Sequence, residues 1–369
     1  MAEVTLASAS EKQKWLSQYF AEYVRESGFA GYMGKAPSSI IVAKHELENE
    51  AGKTINIPLI TRLTGTGVTG SAALDGAEED LGNYNCGISI DWRRNGVRVP
   101  KSTSYKTDID LMNAARDMLR SWESEQFRDD IIKAMLSVVT SGDTTVNLAD
   151  SSAANRNAYA AANADRLLFG KLISNYSATF ATATATLDTT DDKCTAAAMS
   201  LMKRIAKLAD PHIRPFKSKL GQEYFVAFHG ARTFRDLKAD STITAANREA
   251  RPRDVESNPL FQDGDLIYDG VVHREVPEID DIAANGGVAY TLNNAGAGAA
   301  VDVRPVFLCG QQAVGVAWGQ MPTMRTDTQK DYAFRPGVAV EELLGVKKLA
   351  FNGKQHGMVT GFFAAAADS

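Results

Sequence analysis

Cysteine is scarce in this chain of 369 residues, which has only Cys86, Cys194 and Cys309. Because they are odd in number, far apart and never in a C-x-x-C pair, they predict reduced thiols in a cytoplasmic setting. The same spacing excludes a cysteine-rich zinc site. A fold held together by disulfide bonds is therefore not expected.

The chain also lacks long apolar runs and an excess of positive charge. No stretch approaches the roughly 18 consecutive apolar residues that a membrane span needs, and residues 1–20 show no signal-peptide pattern. The formal net charge is −5, from 40 Lys and Arg against 45 Asp and Glu, which disfavours a dedicated nucleic-acid binder. With 44% hydrophobic and 23% charged residues, the composition indicates a folded globular protein of one or two domains.

Catalytic motifs are missing as well. The sequence has no H-E-x-x-H, no G-x-S-x-G and no G-x-x-x-x-G-K-[ST] segment. Its histidines do not pair at metal-ligand spacing, and we interpret each as an isolated surface or core residue. They are His45, His212, His229, His273 and His356. We therefore predict a protein that is not an enzyme and that binds neither a cofactor nor a metal.

One formal nucleotide motif leaves an alternative open. Gly65, Gly67 and Gly70 match the G-x-G-x-x-G dinucleotide pattern, and Asp91 follows about twenty residues later. That motif requires a buried strand before it and a helix after it, whereas here the preceding segment alternates and the following one is interrupted by glycines. We favour a hairpin tip in which glycines permit positive φ angles. The alternative is a cytoplasmic enzyme that binds a nucleotide at residues 65–70.

The most informative stretch runs from residue 54 to residue 100. Apolar residues alternate with others in TINIPLITRL (54–63), and the alternation returns in ISIDWRRNGVRVP (88–100) after a glycine-rich segment. This pattern predicts a long antiparallel hairpin with a glycine-rich tip. Pro58 indicates that its first strand is an edge strand. On the return strand, Ile88, Ile90 and Trp92 are predicted to share one face.

The length of this hairpin has a consequence for its environment. If fully extended, residues 54–70 would span about 55 Å at ~3.3 Å per residue, which is roughly the diameter of a compact chain of this size. An isolated two-stranded ribbon is only marginally stable in water. We therefore expect the hairpin to join a larger sheet or to lie on another molecule.

Helices are predicted on both sides of the hairpin. Residues 8–28 show a capping box and a broad apolar face; they form either a helix packed on its own domain or an arm that docks on a neighbouring subunit. Residues 106–140 predict one amphipathic helix, about 50 Å long, with Leu119 and Trp122 on its apolar face. Shorter helices are predicted near 155–173 and at 192–209 and 231–240, strands at 223–230, 266–275, 305–318 and 338–363, and a surface loop or hairpin at 281–302.

Charged residues lie on both arms of the hairpin. An acidic run at the tip and three arginines on the return strand are more consistent with a contact between molecules than with a calcium or acid–base site. The candidate inter-subunit residues are Trp15, Tyr19, Tyr23, Gly65, Gly67, Gly70, Glu78, Glu79, Asp80, Arg93, Arg94 and Arg98.

The order of these parts resembles the major capsid protein of tailed bacteriophages, which has the Hong Kong 97-type fold. The hairpin sequence resembles the subset typified by the coliphage N-four capsid protein. The matching positions are Pro58, Leu59, Leu63, Gly65, Gly67, Gly70, Leu74, Gly76, Glu78, Glu79 and Leu81. Asp75 is a mild departure, since the subset often has another acidic residue there. The resemblance is specific over 54–140 and looser elsewhere, and it does not place residues 141–200.

The resemblance implies an α+β capsid fold with an N-terminal arm, an extended β-hairpin loop, a long spine helix, and peripheral and axial domains. The implied segments are 1–50 for the arm, 51–104 for the hairpin loop, 105–210 with 336–369 for the peripheral domain, and 211–335 for the axial domain. The hairpin loop would lie over an adjacent subunit.

The function implied by the resemblance is structural. Hexamers and pentamers would form an icosahedral phage head that encloses double-stranded DNA without sequence-specific contacts. Separate scaffolding, portal and decoration proteins would be partners, no membrane would be involved, and assembly would take place in the bacterial host cytoplasm. An encapsulin-like compartment for protein cargo is a further alternative. Some relatives cross-link lysine and asparagine side chains, and Lys53, Lys101 and Asn352 are candidates by residue type alone.

Overall fold

The computed structural model describes residues 28–46, 52–71, 73–106, 110–217, 223–249, 261–262, 265–284 and 289–367. The predicted N-terminal helix, with Trp15, Tyr19 and Tyr23, lies outside these described residues. The helices are α1 (Lys101–Ser104), α2 (Leu111–Leu136), α3 (Ala153–Ala162), α4 (Phe180–Ala185), α5 (Ala196–Leu208), α6 (Ala231–Ala239), α7 (Ser241–Glu249) and α8 (Glu278–Ala284). Short 3₁₀ turns occur at Ala30–Tyr32, Ser141–Asp143, Leu148–Asp150, Ile173–Asn175 and Ala297–Ala299.

The strands fall throughout the described chain. In order they are β1 (Met33–Gly34), β2 (Ile41–Lys44), β3 (Thr54–Ile60), β4 (Asn83–Ser89), β5 (Asp91–Arg98), β6 (Val138–Val139), β7 (Thr145–Val146), β8 (Leu167–Phe169), β9 (Phe216–Lys217), β10 (Glu223–His229), β11 (Phe261–Gln262), β12 (Asp265–Tyr268), β13 (Val271–Glu275), β14 (Val303–Cys309), β15 (Val314–Asp327), β16 (Gly337–Lys348), β17 (Ala350–Phe351), β18 (Lys354–Gln355) and β19 (Met358–Ala364).

The chain divides into two compact units. The small unit contains the described residues 92–106, 110–127 and 320–343, and the large unit contains the other described residues. Helix α2 and strands β15 and β16 contribute residues to both units. This division differs from the predicted peripheral and axial domains, whose boundaries stay a prediction.

The large unit is built on a sheet with the strand order β11-β12-β13-β10-β14-β19-β8, and β9 pairs with β10. Strand β10 pairs parallel with β13 and antiparallel with β14, and β19 pairs parallel with β8. Every residue of β14 and β19 is buried, as expected for strands covered on both faces. Helix α5 packs here through Met199 and Met202. Leu208 is exposed because it lies at the last turn of α5.

The long helix is shorter than predicted at both ends. The Asp110 carboxylate accepts hydrogen bonds from the backbone N–H groups of Met112 (3.1 Å) and Asn113 (3.2 Å), which is the geometry of an N-cap. At the other end, the Ser137 hydroxyl donates to the Ala134 carbonyl (2.6 Å), and Val138 and Val139 then form strand β6. The 26 residues of α2 therefore span about 39 Å.

Other boundaries also differ from the prediction. The helix predicted near 155–173 is α3, which ends at Ala162, and Leu167–Phe169 forms a buried strand. Residues 305–318 belong to two strands, and 338–363 to four. The predicted loop at 281–302 begins inside α8, and its described remainder contains no strand. The strand at 223–230 and the helix at 231–240 are confirmed within one or two residues.

Two histidines that the sequence analysis treated as isolated form a buried pair in the large unit. Nε2 of His229 lies 2.9 Å from Nδ1 of His273, because β10 and β13 are parallel neighbours. Both side chains are fully buried. Burial lowers the pKa of His273 to about 3, and burial lowers the pKa of His229 well below its usual value, with a further contribution from His273.

A lysine is also fully buried in the large unit. The Lys348 ammonium donates hydrogen bonds to the carbonyl oxygens of Met135 (3.2 Å) and Ser137, and it lies 3.4 Å from the Tyr159 hydroxyl. Cationic donors are favoured at a helix C-terminus, where carbonyls lack partners, so Lys348 helps to end α2. Burial lowers the pKa of Lys348 to about 7.

Candidate assembly surfaces

The base of the hairpin is anchored to its own unit. Strand β3 pairs antiparallel with β4 from Thr54↔Ser89 to Ile60↔Asn83. Ile55 and Ile88 are buried, and the Lys347 ammonium donates to the Gly87 carbonyl (2.8 Å). Gly315 leaves room for this packing, since a Cβ there would lie 2.5 Å from the terminal methyl of Ile88. The predicted hairpin is confirmed for these two strands.

The predicted return strand is interrupted at Ile90, with β4 before it and β5 after it. Residues 83–89 complete the hairpin, whereas the next run, β5, joins β16 in a different sheet. In the small unit the Val99 N–H donates to the Pro336 carbonyl (2.9 Å), next to this pairing. The prediction that 88–100 forms one hairpin strand is therefore wrong. Ile88 and Ile90 are both buried, but Trp92, predicted to share their face, lies beyond the interruption and is exposed.

The tip of the hairpin, residues 61–82, contains neither helix nor strand in its described part. The Thr61 N–H donates to the Gly82 carbonyl (2.9 Å) where the tip begins and ends, and Arg62 forms an exposed ion pair with Asp210 (2.8 Å). Large apolar side chains on the last β3 residue and in the tip are exposed by 59–63%. They are Ile60, Leu63, Leu74 and Leu81. Several large apolar side chains exposed in one short segment suggest an interaction surface.

Glu79 connects the two halves of the tip. One oxygen of its carboxylate accepts hydrogen bonds from the Thr64 N–H (2.6 Å) and the Thr64 hydroxyl (3.0 Å). The other oxygen accepts the Gly65 N–H (2.6 Å). The hydrogen bonds from the Thr64 and Gly65 amides lower the pKa of Glu79. Gly65 allows this close approach, because a Cβ there would lie 2.7 Å from the carboxylate oxygen and would displace it.

This geometry does not match a dinucleotide site. The strand that precedes the glycines pairs antiparallel with β4, and the described residues of the tip that follow Gly70, 71 and 73–82, contain no helix. A dinucleotide site places the phosphates on free N–H groups at a helix N-terminus, whereas the Gly65 amide here is bound by Glu79. Gly67 and Gly70 have φ angles of 68° and 70°, which supports the predicted role of glycine in a tight tip.

The two other acidic residues of the tip are differently placed. Glu78 accepts the Gly76 N–H (2.7 Å) within a local turn, and Asp80 is exposed. Both carboxylates lie on the tip surface, where a partner molecule can reach them. Their predicted inter-subunit role stays a prediction.

The three candidate arginines lie in the small unit and are not equivalent. The Arg93 guanidinium donates to Glu342 (2.5 Å), whose carboxylate is buried, so Arg93 has a structural role in its own unit. Burial raises the pKa of the neighbouring Glu123, and the charge of Glu342 raises it further. Arg94 is exposed and has no hydrogen bond or ion pair with another described residue. Arg98 forms a long, exposed ion pair with Asp327 (3.9 Å).

A shallow groove of about 560 Å³ lies beside Arg98 in the small unit. Its lining includes Gly96, Arg98, Arg325 and Asp327, and Arg325 also contacts Glu341. Arg325 and Glu342 were not among the residues predicted from the sequence. No local signal could have found them, because Arg93 and Glu342 are separated by 249 positions in the chain.

The cross-link candidates are exposed but show no pairing. Lys53, Lys101 and Asn352 each reach the surface. The side-chain amide of Asn352 lies 3.4 Å from the Tyr84 hydroxyl, and its backbone N–H donates to Asp143 (2.9 Å). A lysine–asparagine cross-link therefore stays a prediction from residue type.

No described group of three or more His, Cys, Asp or Glu side chains is placed to hold a metal ion. All three cysteines are free and buried. In the same described ranges, no helix combines the length and the apolar character that crossing a membrane requires.

The fold and the exposed tip define a class of protein. A mixed helix-and-strand subunit with an exposed apolar hairpin tip has the features expected of a subunit of a symmetric assembly. Among proteins of this class, solved phage capsids are similar over the whole chain. The capsid asymmetric unit of cyanophage Pam1 matches with a TM-score of 0.91 and 52% identity, covering 100% of both chains. The capsid of Ralstonia phage GP4 has the same fold, with a TM-score of 0.72, 22% identity and 100% coverage of both chains.

Sequence comparison identifies the family. The major capsid protein of Pseudomonas phage KPP25 is 26% identical over 352 residues, which are 92% of this chain and 90% of that protein. The family model described as phage capsid protein matches residues 3–362. The chain therefore belongs to the phage capsid protein family, and it is a structural protein of the virion. The expected Hong Kong 97-type fold and capsid function are confirmed; the N-four subset stays a prediction.

Proposed function

We propose that this chain forms the icosahedral head of a tailed phage as hexamers and pentamers that enclose double-stranded DNA. Each hairpin tip lies on the small unit of a neighbouring copy. Separate scaffolding, portal and decoration proteins complete the head, and assembly takes place in the cytoplasm of the bacterial host. Membership of the capsid family and the similarity to a phage capsid asymmetric unit support this proposal.

The observation that carries the proposal is the exposed apolar surface of the tip. Ile60, Leu63, Leu74 and Leu81 are each about three-fifths exposed. Covering one such side chain contributes about 1–2 kcal/mol, so one tip contributes roughly 4–8 kcal/mol. Association costs about 4–15 kcal/mol, so a single contact is weak. A closed shell repeats the contact around each subunit, and multivalency makes loss of one subunit rare.

Shortening the hairpin tests this role. Residues 62–81 are replaced by Asn-Gly, which keeps the Thr61–Gly82 hydrogen bond and supplies a favoured two-residue turn. We expect the variant to retain the circular dichroism of the wild-type subunit, because the removed residues lie outside every described helix and strand. Electron microscopy should show no closed shells under conditions in which the wild type assembles. Closed shells from the shortened variant would refute the docking role of the tip.

Charge complementarity favours the basic strand of the small unit as the surface that receives the tip. Glu78 and Asp80 are exposed on the tip, and Arg94 and Arg98 are exposed on β5. Opposite charges across an interface guide partner choice and register. In a homo-oligomer every copy supplies both surfaces, so a charge reversal on one surface can be compensated in the same chain.

The test is a reversal of this pair. We expect Glu78→Arg and Arg94→Glu each to reduce shell yield by about tenfold or more, since like charges then meet at every contact. The variant with both substitutions should recover much of the yield. Arg120→Glu, a reversal at another exposed arginine of the small unit, is the matched control. Failure of the double variant to recover would exclude this pairing.

The contents of the shell distinguish a phage head from an encapsulin-like compartment. Particles recovered from infected cells should contain double-stranded DNA that nuclease digests only after the shell is opened. Particles that contain a defined protein and no DNA would contradict the proposal.

A further inference from the structure

The tip of the hairpin is shaped by polar contacts and not by a core of its own. Within its described residues no side chain is buried, and only Thr61 and Val68 are partly covered. A local turn joins Leu74 to Ala77 through a backbone hydrogen bond of 2.9 Å. Among the described residues of the tip, the hydrogen bonds that connect its two halves beyond the Thr61–Gly82 closure are those of the Glu79 carboxylate.

Glu79 closes a loop by binding the Gly65 amide, fourteen positions earlier in the chain. Both of its oxygens are used, one by the Thr64 amide and hydroxyl and the other by the Gly65 amide. Hydrogen bonds to an ionised acceptor are shorter and stronger than neutral ones. The contact therefore holds the two ends of the loop together.

This contact also sets the spacing of the exposed leucines. Leu63 directly precedes Thr64, and Leu81 follows Glu79 by two residues. Because the Glu79 carboxylate binds Thr64, it restrains the backbone next to Leu63 and the backbone next to Leu81. A loop that already has its bound shape loses less conformational entropy when it docks.

We propose that Glu79 is a positioning residue that holds the hairpin tip in its docking shape before a neighbouring subunit binds. Glu79 acts through Thr64 and Gly65 and does not itself contact the neighbour. This inference rests on the proposed docking of the tip on a second copy. It assigns Glu79 a different role from Glu78 and Asp80, whose carboxylates make no contact across the loop within the described residues.

The first measurement is amide hydrogen exchange in the unassembled full-length subunit, with residue-level resolution at Thr64 and Gly65. In Glu79→Gln, exchange at both amides should be at least about threefold faster, because the charged acceptor is lost. The ¹H–¹⁵N resonances of the same two amides should shift. Asp75→Asn is the matched control, since it removes one charge from the same loop at a side chain without a hydrogen bond to another described residue.

A second variant reaches the same contact by another route. Gly65→Ala keeps the charge of Glu79 but places a Cβ 2.7 Å from its oxygen, which displaces the carboxylate. Both Glu79→Gln and Gly65→Ala should accelerate exchange at Thr64 and lower shell yield at a fixed subunit concentration. Asp75→Asn should match the wild type in both measurements.

These experiments distinguish a failure of the positioning role of Glu79 from a failure of the docking role of the tip. Unchanged exchange in Glu79→Gln would overturn the positioning role, as would faster exchange with unchanged shell yield. If the shortened hairpin assembles normally, the docking role of the tip fails, and the positioning role fails with it. Faster exchange together with lower yield in both variants supports the proposal.

Discussion

We expect lower pH to destabilise the unassembled subunit through the buried pair His229 and His273. Both rings are fully buried, and Nε2 of His229 lies 2.9 Å from Nδ1 of His273. Nearby ionisable groups are the Cys194 thiol, 4.0 Å from Nδ1 of His229, and Asp269, whose charge opposes the pKa shift of His273. Burial is the larger effect, so both rings stay neutral in the folded state.

The sign and size of the effect follow from the pKa difference. The unfolded chain protonates its histidines below a pKa of about 6.5, whereas the folded His273 does so only near a pKa of about 3. Stability is therefore lost as the pH falls from 6.5 towards 3. Each unit of pH in this window costs about 1.4 kcal/mol for His273, so this residue costs roughly 2 kcal/mol between pH 6.5 and pH 5, and His229 adds a loss of the same sign.

The assay is urea unfolding of the unassembled subunit between pH 5 and pH 7. Carboxylates also titrate at the acidic end, so the informative quantity is the difference between variants. His273→Gln keeps a neutral hydrogen-bonding side chain that does not titrate. We expect it to lose about 2 kcal/mol less stability than the wild type over this range. His212→Gln, at an exposed histidine, is the control.

Two outcomes would refute the reasoning. The first is an equal loss of stability in the wild type and in His273→Gln, because a buried neutral histidine must contribute to the slope. The second is a slope that changes as much in His212→Gln as in His273→Gln, because the effect would then not depend on burial.

Two further predictions concern the core. Leu119→Ala should lower the free energy of unfolding of the small unit by about 3–5 kcal/mol, because Leu119 is buried against Val338 and Val340. Trp122→Ala should lower it by less, because the Trp122 side chain is only partly buried. Calorimetry of both variants measures these losses. Lys348 has a folded pKa of about 7 against 10.5 in the unfolded chain, so raising the pH from 7 to 9 should stabilise the subunit by about 2 kcal/mol. Urea unfolding should show this gain in the wild type and not in Lys348→Met.

Local patterns predicted local structure well. The alternation over 54–60 needs only neighbouring residues, and strand β3 follows it, with buried Ile55 and exposed Asn56. Pro58 correctly predicted an edge strand, because its missing N–H is a property of the residue itself. Helix α5 and strand β10 were found for the same reason.

Boundaries and long-range contacts could not be read from the pattern. The return strand is interrupted at Ile90 because the residues after it pair with β16, which begins 239 positions after the end of β5. Helix α2 ends before Ser137 partly because Lys348 binds the carbonyls there. His229 and His273 are 44 positions apart in the chain. Spacing rules for metal ligands apply to residues within one helix or loop, so they could not predict this pair.

The sequence predicted which residues lie in the candidate assembly site but not the contacts that they make. The glycines and acidic residues of the tip were recognised, but Glu79 was grouped with Glu78 and Asp80 as one patch. The hydrogen bonds that Glu79 accepts from Thr64 and Gly65 are seen only in the folded structure. Similarly, Arg93, Arg94 and Arg98 look alike in sequence, and burial of Glu342 separates Arg93 from the other two.

Pro58 has a consequence for a protein made in many copies at high local concentration. In the described sheet, β3 has β4 on one side and no strand on the other. A bare edge of this kind can recruit the same edge of another molecule and start a fibre. Proline, opposite Asn85 in the ladder, interrupts the row of donors that such growth requires. Newly made subunits can thus meet in solution without adding strands to one another at this edge.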